Sequence, residues 1–271
     1  MIKVGTVEDA ISGGRRRVFD AGTGRFRGHT DFLFESEGPD VPGPQAFLVH
    51  QAPGWTLAPH FHLQHQVQVV VGGSGRLGQH PLGPGSVHYA SPEAPYGPLV
   101  AGPDGLDYFT LRVQTDRGAW YMPESRPTMT AGLDRRQTTA GPDPSQPVLD
   151  VMIAPRPDGL AAWLLRGDGD DIVLPPLQPP PAVGPNGQAG GACDRFHVVL
   201  DGAFEIEGHG LPAHACLYAS STESLRRARA LEVGSRLVVV QFPSLAASHL
   251  ASPAMRHAAS QQPFTVVTPS H

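Results

Sequence analysis

His60, His62, Gln66 and His88 gather four side chains able to bind a metal into one short stretch, Gly54 to Pro98. Read as strands, His60 and His62 stand two residues apart and leave the same face of one strand. The run Gln66-Val67-Gln68-Val69-Val70-Val71 meets Gly72-Gly73, which reads as a second strand that starts at Gln66 and stops at a turn. A third strand after Pro84-Gly85 carries His88. Three strands can thus aim three imidazoles and one amide oxygen at a single point. Neutral imidazole ligates iron, zinc, copper, nickel and manganese alike, so the expectation is one divalent ion per chain, of unspecified identity. An amide oxygen cancels none of the ion's charge. Such a site favours an anionic, chelating organic substrate. Gln66 can equally stand behind the ligands, bonded to metal-bound water.

Strand parity supplies the groups expected around the ion. Gln68 shares the face of Gln66 and should point inward, with Val67, Val69 and Val71 packing outward. Tyr96, in the rigid segment Ala94-Pro95-Tyr96-Gly97-Pro98, could hold a phenol at a cavity mouth and is one catalytic candidate. His65, in the loop before Gln66, is the other. Tyr108, Thr110 and Arg112 alternate with Phe109, Leu111 and Val113. If the first set faces the cavity, Tyr108 and Arg112 join Gln68 and Tyr96 as substrate-binding residues, with Arg112 as an anion clamp. Trp55, Trp120 and Tyr121 read as core or rim.

Positioning these groups requires many short strands. The 271 residues include 32 glycines and 29 prolines spread without a period, which argues for strands joined by tight turns and against long helices. The length allows two ordinary domains. No run of ~18 apolar residues offers a membrane span, and the first residues lack a signal-peptide layout, so a cytoplasmic protein is expected. A net charge of −5 gives no basic footprint for nucleic acid or an anionic membrane. Cys193 and Cys216 are the only cysteines and read as buried thiols.

Adding 129 to first-half positions finds a second copy. Val69 to Gly73 maps onto Val198 to Gly202, and Tyr89-Ala90-Ser91 onto Tyr218-Ala219-Ser220. The four ligand positions map to Ala189, Gly191, Arg195 and Leu217, none of which suits a metal. The expected layout is an N-terminal metal-binding barrel over 1–125, a linker over 126–147, a degenerate barrel over 148–245 and a tail over 246–271, with a short helix around 248–260. The Pro-rich run from Leu174 to Pro185 reads as a surface connection, and His197, His209 and His214 as surface or hydrogen-bonding residues.

The wording of the site stretch resembles the cupin superfamily. Gly54, His60-Phe61-His62, Gln66 and Gly73 are similar to its first motif, G-x5-H-x-H-x3-E-x6-G, and Pro84-Gly85-Ser86-Val87-His88 to its second. Gln66 stands where most cupins have Glu, and Pro92 where the second motif often has Asn. The resemblance, with the internal repeat, implies an all-β bicupin of two double-stranded β-helix (jelly-roll) barrels. It implies a non-heme Fe(II) dioxygenase acting on a small anionic molecule, with Zn, Mn, Ni or Cu as other metals. A metal-dependent isomerase, cyclase or lyase, for which the neutral glutamine speaks, is the first alternative. A non-catalytic metal- or small-molecule-binding cupin is the second. Bicupins are commonly dimers, so a homodimer is expected.

Overall fold

The computed structural model describes residues 1–20, 24–36, 41, 43–116, 118–177 and 193–244. Its strands, in chain order, are β1 (Ile2–Gly5), β2 (Arg16–Phe19), β3 (Gly28–Phe34), β4 (Gln45–Gln51), β5 (Thr56–Leu57), β6 (His60–Phe61), β7 (Gln66–Leu77), β8 (His80–Leu82), β9 (Val87–Ala90), β10 (Leu99–Arg112), β11 (Trp120–Tyr121) and β12 (Gln137–Ala140). There follow β13 (Leu149–Ile153), β14 (Ala161–Gly167), β15 (Asp171–Val173), β16 (Arg195–Asp201), β17 (Ala203–Ile206), β18 (His209–Pro212), β19 (Cys216–Ala219), β20 (Arg227–Ala230) and β21 (Ser235–Gln241). Among the described residues one short α-helix, α1, covers Val7–Ser12, and a 3-10 turn covers Arg126–Thr128. The fold is all-β, as the glycine and proline usage implied. Among the described residues no helix is long and apolar enough to cross a membrane.

The chain divides into two units, one formed by Ala10–Pro84 and His88–Thr139, the other by Met1–Asp9, Gly85–Val87 and the described residues from Ala140 onward. Two expected boundaries are thereby corrected. The N-terminal strand β1 pairs with β19 and belongs to the second unit, because its backbone completes that sheet's edge. Residues 126–139 are no free linker. They pack with the first unit, where the Ser91 and Arg136 backbones bond at 2.9 Å and Arg135 reaches the buried Glu93 at 3.1 Å.

In the first unit the path β12-β9-β7-β10-β4-β3-β2 forms the main sheet. Its inward positions alternate as period-2 strands must: Gln66, Gln68 and Val70 on β7, Tyr108, Thr110 and Arg112 on β10, and Gln45, Phe47, Val49 and Gln51 on β4. The opposite faces, with Val67, Val69, Leu48, Phe109 and Leu111, are buried as well. The turn expected at Gly72-Gly73 is not one: β7 runs on to Leu77. Gly73 takes φ +67° and lies so close to Gly105 that an added Cβ would stand 2.2 Å from its carbonyl oxygen. The glycines therefore serve a bulge, where the register shifts against β10, and not a chain reversal.

The second unit has a filled interior. β14, β16, β19 and β21 contribute Trp163, Leu165, Val199, Leu217, Leu237 and Val239 to one apolar cluster. One strand register matches that of the first unit under the 129-residue offset: Thr110 opposes Gln68, and Val239 opposes His197. The Pro-rich run starts inside rather than on the surface. Leu174 is a core residue, and the Pro175 and Pro176 carbonyls accept from Arg195 at 2.7 and 2.6 Å. Prolines lack a donor but keep an acceptor, so they can end a buried guanidinium. Ala189, Gly191 and the whole tail lie outside the described residues.

Candidate functional site

A cavity of about 180 Å³ opens among the inward faces of β4, β7 and β10. Phe26, Phe47, Val49, Leu57, Tyr108 and Tyr121 give it apolar walls, and His60, His62, Gln66, Gln68, Tyr96 and Arg112 supply the polar groups. An apolar cavity of 150 Å³ admits benzene, so this one has room for a molecule built on one ring. Of the two alternating sets on β10, the one with Tyr108, Thr110 and Arg112 lines the cavity, together with Gln68 and Tyr96.

Backbone pairing delivers Tyr96 to the histidines. His60 and Tyr96 exchange both main-chain hydrogen bonds, at 3.1 and 3.0 Å, and the Glu93 amide donates to the His62 carbonyl at 2.7 Å. The His60 imidazole is fixed at both ends. Its Nδ1 lies 2.8 Å from the Ala58 carbonyl, which accepts a proton, so the Tyr96 hydroxyl at 3.0 Å donates to Nε2. The Gln66 amide nitrogen then donates to the Tyr96 oxygen at 2.6 Å. Burial, with His62 beside it, pushes His60 down to about 3, so it is a neutral base. Burial also raises Tyr96, which keeps its proton. Tyr96 is a hydrogen-bond donor here and not a base.

Arg112 stands at the centre. Its guanidinium donates to Gln66 Oε1 from two nitrogens, at 3.0 and 2.5 Å, and to Gln45 Oε1 at 2.7 Å, and meets His62 Nδ1 at 3.1 Å. Burial lowers Arg112, with the charge of Asp116 opposing, but an arginine remains cationic. The same His62 Nδ1 donates to Asp116 at 3.2 Å, so Arg112 abuts that nitrogen without a hydrogen bond of its own to it, and Asp116 also accepts from the Leu63 amide at 3.0 Å. Burial works against its charge, but the His62 bond and Arg112 keep its carboxyl below the usual range. Among the described residues no carboxylate comes within 4.0 Å of the Arg112 guanidinium.

His88 faces Tyr96, ring centroids 4.9 Å apart, and does not line the cavity. Its Nδ1 bonds Thr139 Oγ1 at 2.9 Å, and its Nε2 is buried with no partner. Burial lowers it to about 3. His65 turns elsewhere: its Nδ1 meets the Tyr89 hydroxyl at 2.8 Å, and it is not on the cavity wall. Trp120 stacks on Phe61 in a small core of its own, whereas Tyr121 joins the cavity wall.

The four expected ligands therefore do not converge on one point in this arrangement. Gln66 Oε1 and His62 are engaged by a cation, His60 Nε2 accepts from Tyr96, and His88 alone has an open nitrogen. Among the described residues, the His/Cys/Asp/Glu group whose ligand atoms all lie within 4.8 Å is His29, Asp31 and His50 instead. Sequence reasoning missed Gln45, Asp116 and Thr139. Gln45 was findable, since it shares parity with Phe47 and Val49.

The second unit lacks such a site at the positions described. Leu217 replaces His88 and is fully buried in the apolar cluster. Arg195 replaces Gln66, and its partner is Gln241, at 3.3 and 3.0 Å. Gln241 is Arg112 plus 129, and the two halves carry the same cross-strand arginine–glutamine pair with the residues exchanged. His197, expected as a surface or hydrogen-bonding residue, is wholly buried. Burial, then Arg195, lowers it to about 3. Cys193 and Cys216 are buried free thiols, as expected.

No protein-family model and no curated protein matches the chain. Solved structures do, through their fold. The bacterial pirin YhhW of Escherichia coli in complex with nickel(II) matches at TM-score 0.52 and 11% identity, over 90% of this chain and 100% of that one. Quercetin 2,3-dioxygenase from Acinetobacter baumannii matches at TM-score 0.52 and 14% identity, over 96% of this chain and 87% of that one. Oxalate decarboxylase from Bacillus subtilis at pH 4.6 matches at TM-score 0.52 and 10% identity, over 89% and 76%. These neighbours share the cupin fold, and at such identities the likeness concerns architecture alone.

Proposed function

We propose that the first unit is a cupin chamber for a small organic anion, its charged end on Arg112 and its flat apolar body between Phe26, Phe47, Leu57 and Tyr121. The observation that carries this reading is a guanidinium 4% exposed whose direct neighbours are two amide oxygens and an imidazole. A buried charge without a directly paired counter-ion costs several kcal/mol, and a carboxylate or enolate entering the chamber relieves that cost. Tyr96 and His60 lie next to the same space as a hydrogen-bond donor and a neutral base. The second half we read as a degenerate copy, its interior closed by Trp163, Leu217, Leu237 and Val239.

Small aromatic carboxylates such as benzoate and salicylate, titrated by calorimetry, test the chamber. Wild type should bind them at least ~10-fold tighter than the neutral benzyl alcohol, and Arg112→Gln should erase the difference. Gln66→Glu should erase it as well, because the new carboxylate would pair with Arg112 in place of the ligand. Equal binding of acid and alcohol by wild type would refute the reading.

Fe(II) dioxygenase chemistry is the second reading, with a non-redox isomerase or lyase behind it. One observation favours it: His88 Nε2 is a buried, unpartnered lone pair. A metal on His60, His62, Gln66 and His88 does not fit the site as arranged, because Arg112 holds Gln66 and abuts His62. This reading requires Arg112→Gln to take up Fe(II) more tightly than wild type; unchanged or weaker uptake would set it aside.

A further inference from the structure

We propose that a first-row divalent metal ion binds outside the barrel, between His29, Asp31 and His50, with Asp107 orienting His50. This goes beyond the anion-binding chamber and does not depend on it. His29 and Asp31 leave β3 on the face opposite Thr30, His50 leaves β4 opposite Val49, and Asp107 leaves β10 opposite Tyr108. Thr30, Val49 and Tyr108 line the chamber. The registers place His29 across from His50 and His50 across from Asp107, so the four side chains gather on the outer surface of the chamber wall.

The local chemistry calls for a cation. His50 Nδ1 lies 2.9 Å from Asp107 Oδ1, so it carries the proton and leaves a lone pair on Nε2. That Nε2 is buried, has no hydrogen-bond partner, and faces the Asp31 carboxylate at 3.4 Å. A neutral His50 sets two electron-pair donors facing each other across that gap, an arrangement that a cation between them relieves. Ligand atoms each about 2.1 Å from an ion and related by a tetrahedral angle stand about 3.4 Å apart. The nearest nitrogen of His29 completes a group within 4.8 Å. Asp107–His50–ion is also the arrangement by which a carboxylate fixes a ligating histidine.

Two features oppose the ion and are offset. Arg16 holds both oxygens of Asp31 at 2.7 Å, but each carboxylate oxygen has a further lone pair, and Asp107 adds a second negative charge. The His29 and His50 rings stack at 4.2 Å and 16°, so His29, which is only half-buried, has to tilt to offer its lone pair. Two imidazoles and a carboxylate suit Zn(II), Co(II), Ni(II) or Fe(II), and exclude a preference for calcium or magnesium.

The test uses the full chain stripped of metal and titrated with Co(II), read by its visible absorption and by displacement with Zn(II). One cobalt per chain is expected. Affinity should fall at least ~100-fold in His29→Ala and in His50→Gln, and about 10- to 100-fold in Asp107→Asn. It should be unchanged in His60→Ala/His88→Ala, which separates this site from the barrel interior. Circular dichroism checks folding, and the half-exposed His29 serves as the readout should His50→Gln misfold. Failure to take up cobalt with a Kd below about 1 mM, with a His50 imidazolium bridging Asp31 and Asp107 instead, would overturn the proposal. So would retention of the ion in both His29→Ala and His50→Gln.

Discussion

Acidification should open the first barrel before the second. His60 and His88 are held neutral at about 3 in the folded first unit, and His197 at about 3 in the second, against 6.5 in the open chain. The unfolded chain therefore takes up protons first as pH falls. The stabilising contribution is complete above about 6.5 and is lost progressively down to about 3. At pH 5 each histidine has forfeited about 2 kcal/mol, since 1.5 pH units at 1.36 kcal/mol each separate that pH from 6.5. The first barrel thus loses about 4 kcal/mol and the second about 2, out of domain stabilities of roughly 5–15 kcal/mol. Hydrogen exchange read by mass spectrometry on metal-free protein, corrected for intrinsic rates, reports opening free energies strand by strand. Between pH 7 and 5, β7, β9 and β10 should lose about 4 kcal/mol of protection, against about 2 for β14, β16 and β21. His88→Gln, which cannot titrate, should cut the first-barrel loss by half. Equal losses in the two sets of strands, or no effect of His88→Gln, would refute the assignment of these histidines as buried neutral bases.

Two further changes address packing and polar satisfaction. Tyr96→Phe removes the hydroxyl shared by His60 and Gln66 and leaves two buried polar atoms unpaired, so urea unfolding should show a loss of about 2–4 kcal/mol. Glu93 is buried and bonds the Thr130 amide at 2.6 Å, the Thr130 hydroxyl at 2.7 Å and Arg135 at 3.1 Å. Glu93→Ala should cost about 3–5 kcal/mol and expose the 126–136 segment to limited proteolysis, with Glu93→Gln intermediate.

The strands carrying the chemistry were legible because alternation is a local property. Parity put Gln68 on the face of Gln66 and grouped Tyr108 with Arg112, leaving open which face of β10 looks inward; all four line the cavity. Spacing could not show what stands between the side chains it aligns. His60, His62, Gln66 and His88 have the separations of a ligand set, yet Arg112, 46 residues from Gln66, reaches in and takes the amide oxygen. A tertiary contact of that range leaves no trace in a window of strand length. The bulge at Gly73 was misread for a related reason, since a left-handed glycine suits a turn and a bulge equally. His29 and Asp31 repeat the two-residue spacing of His60 and His62. Their meeting with His50 and Asp107 depends on the registers of two strand pairs, which the sequence does not display.

The exchanged arginine–glutamine pair has an evolutionary consequence. If the two halves descend from one copy, they reach Gln66–Arg112 in one and Arg195–Gln241 in the other only through an intermediate with two arginines or two glutamines. Two guanidiniums side by side in a buried strand pair repel each other, whereas two amides can bond, so the passable route runs through paired glutamines. From that neutral ancestor a charge can return on either strand. On β10 it arrives beside an open chamber and can meet a foreign anion. On β16 it meets the chain's own proline carbonyls and becomes part of the scaffold.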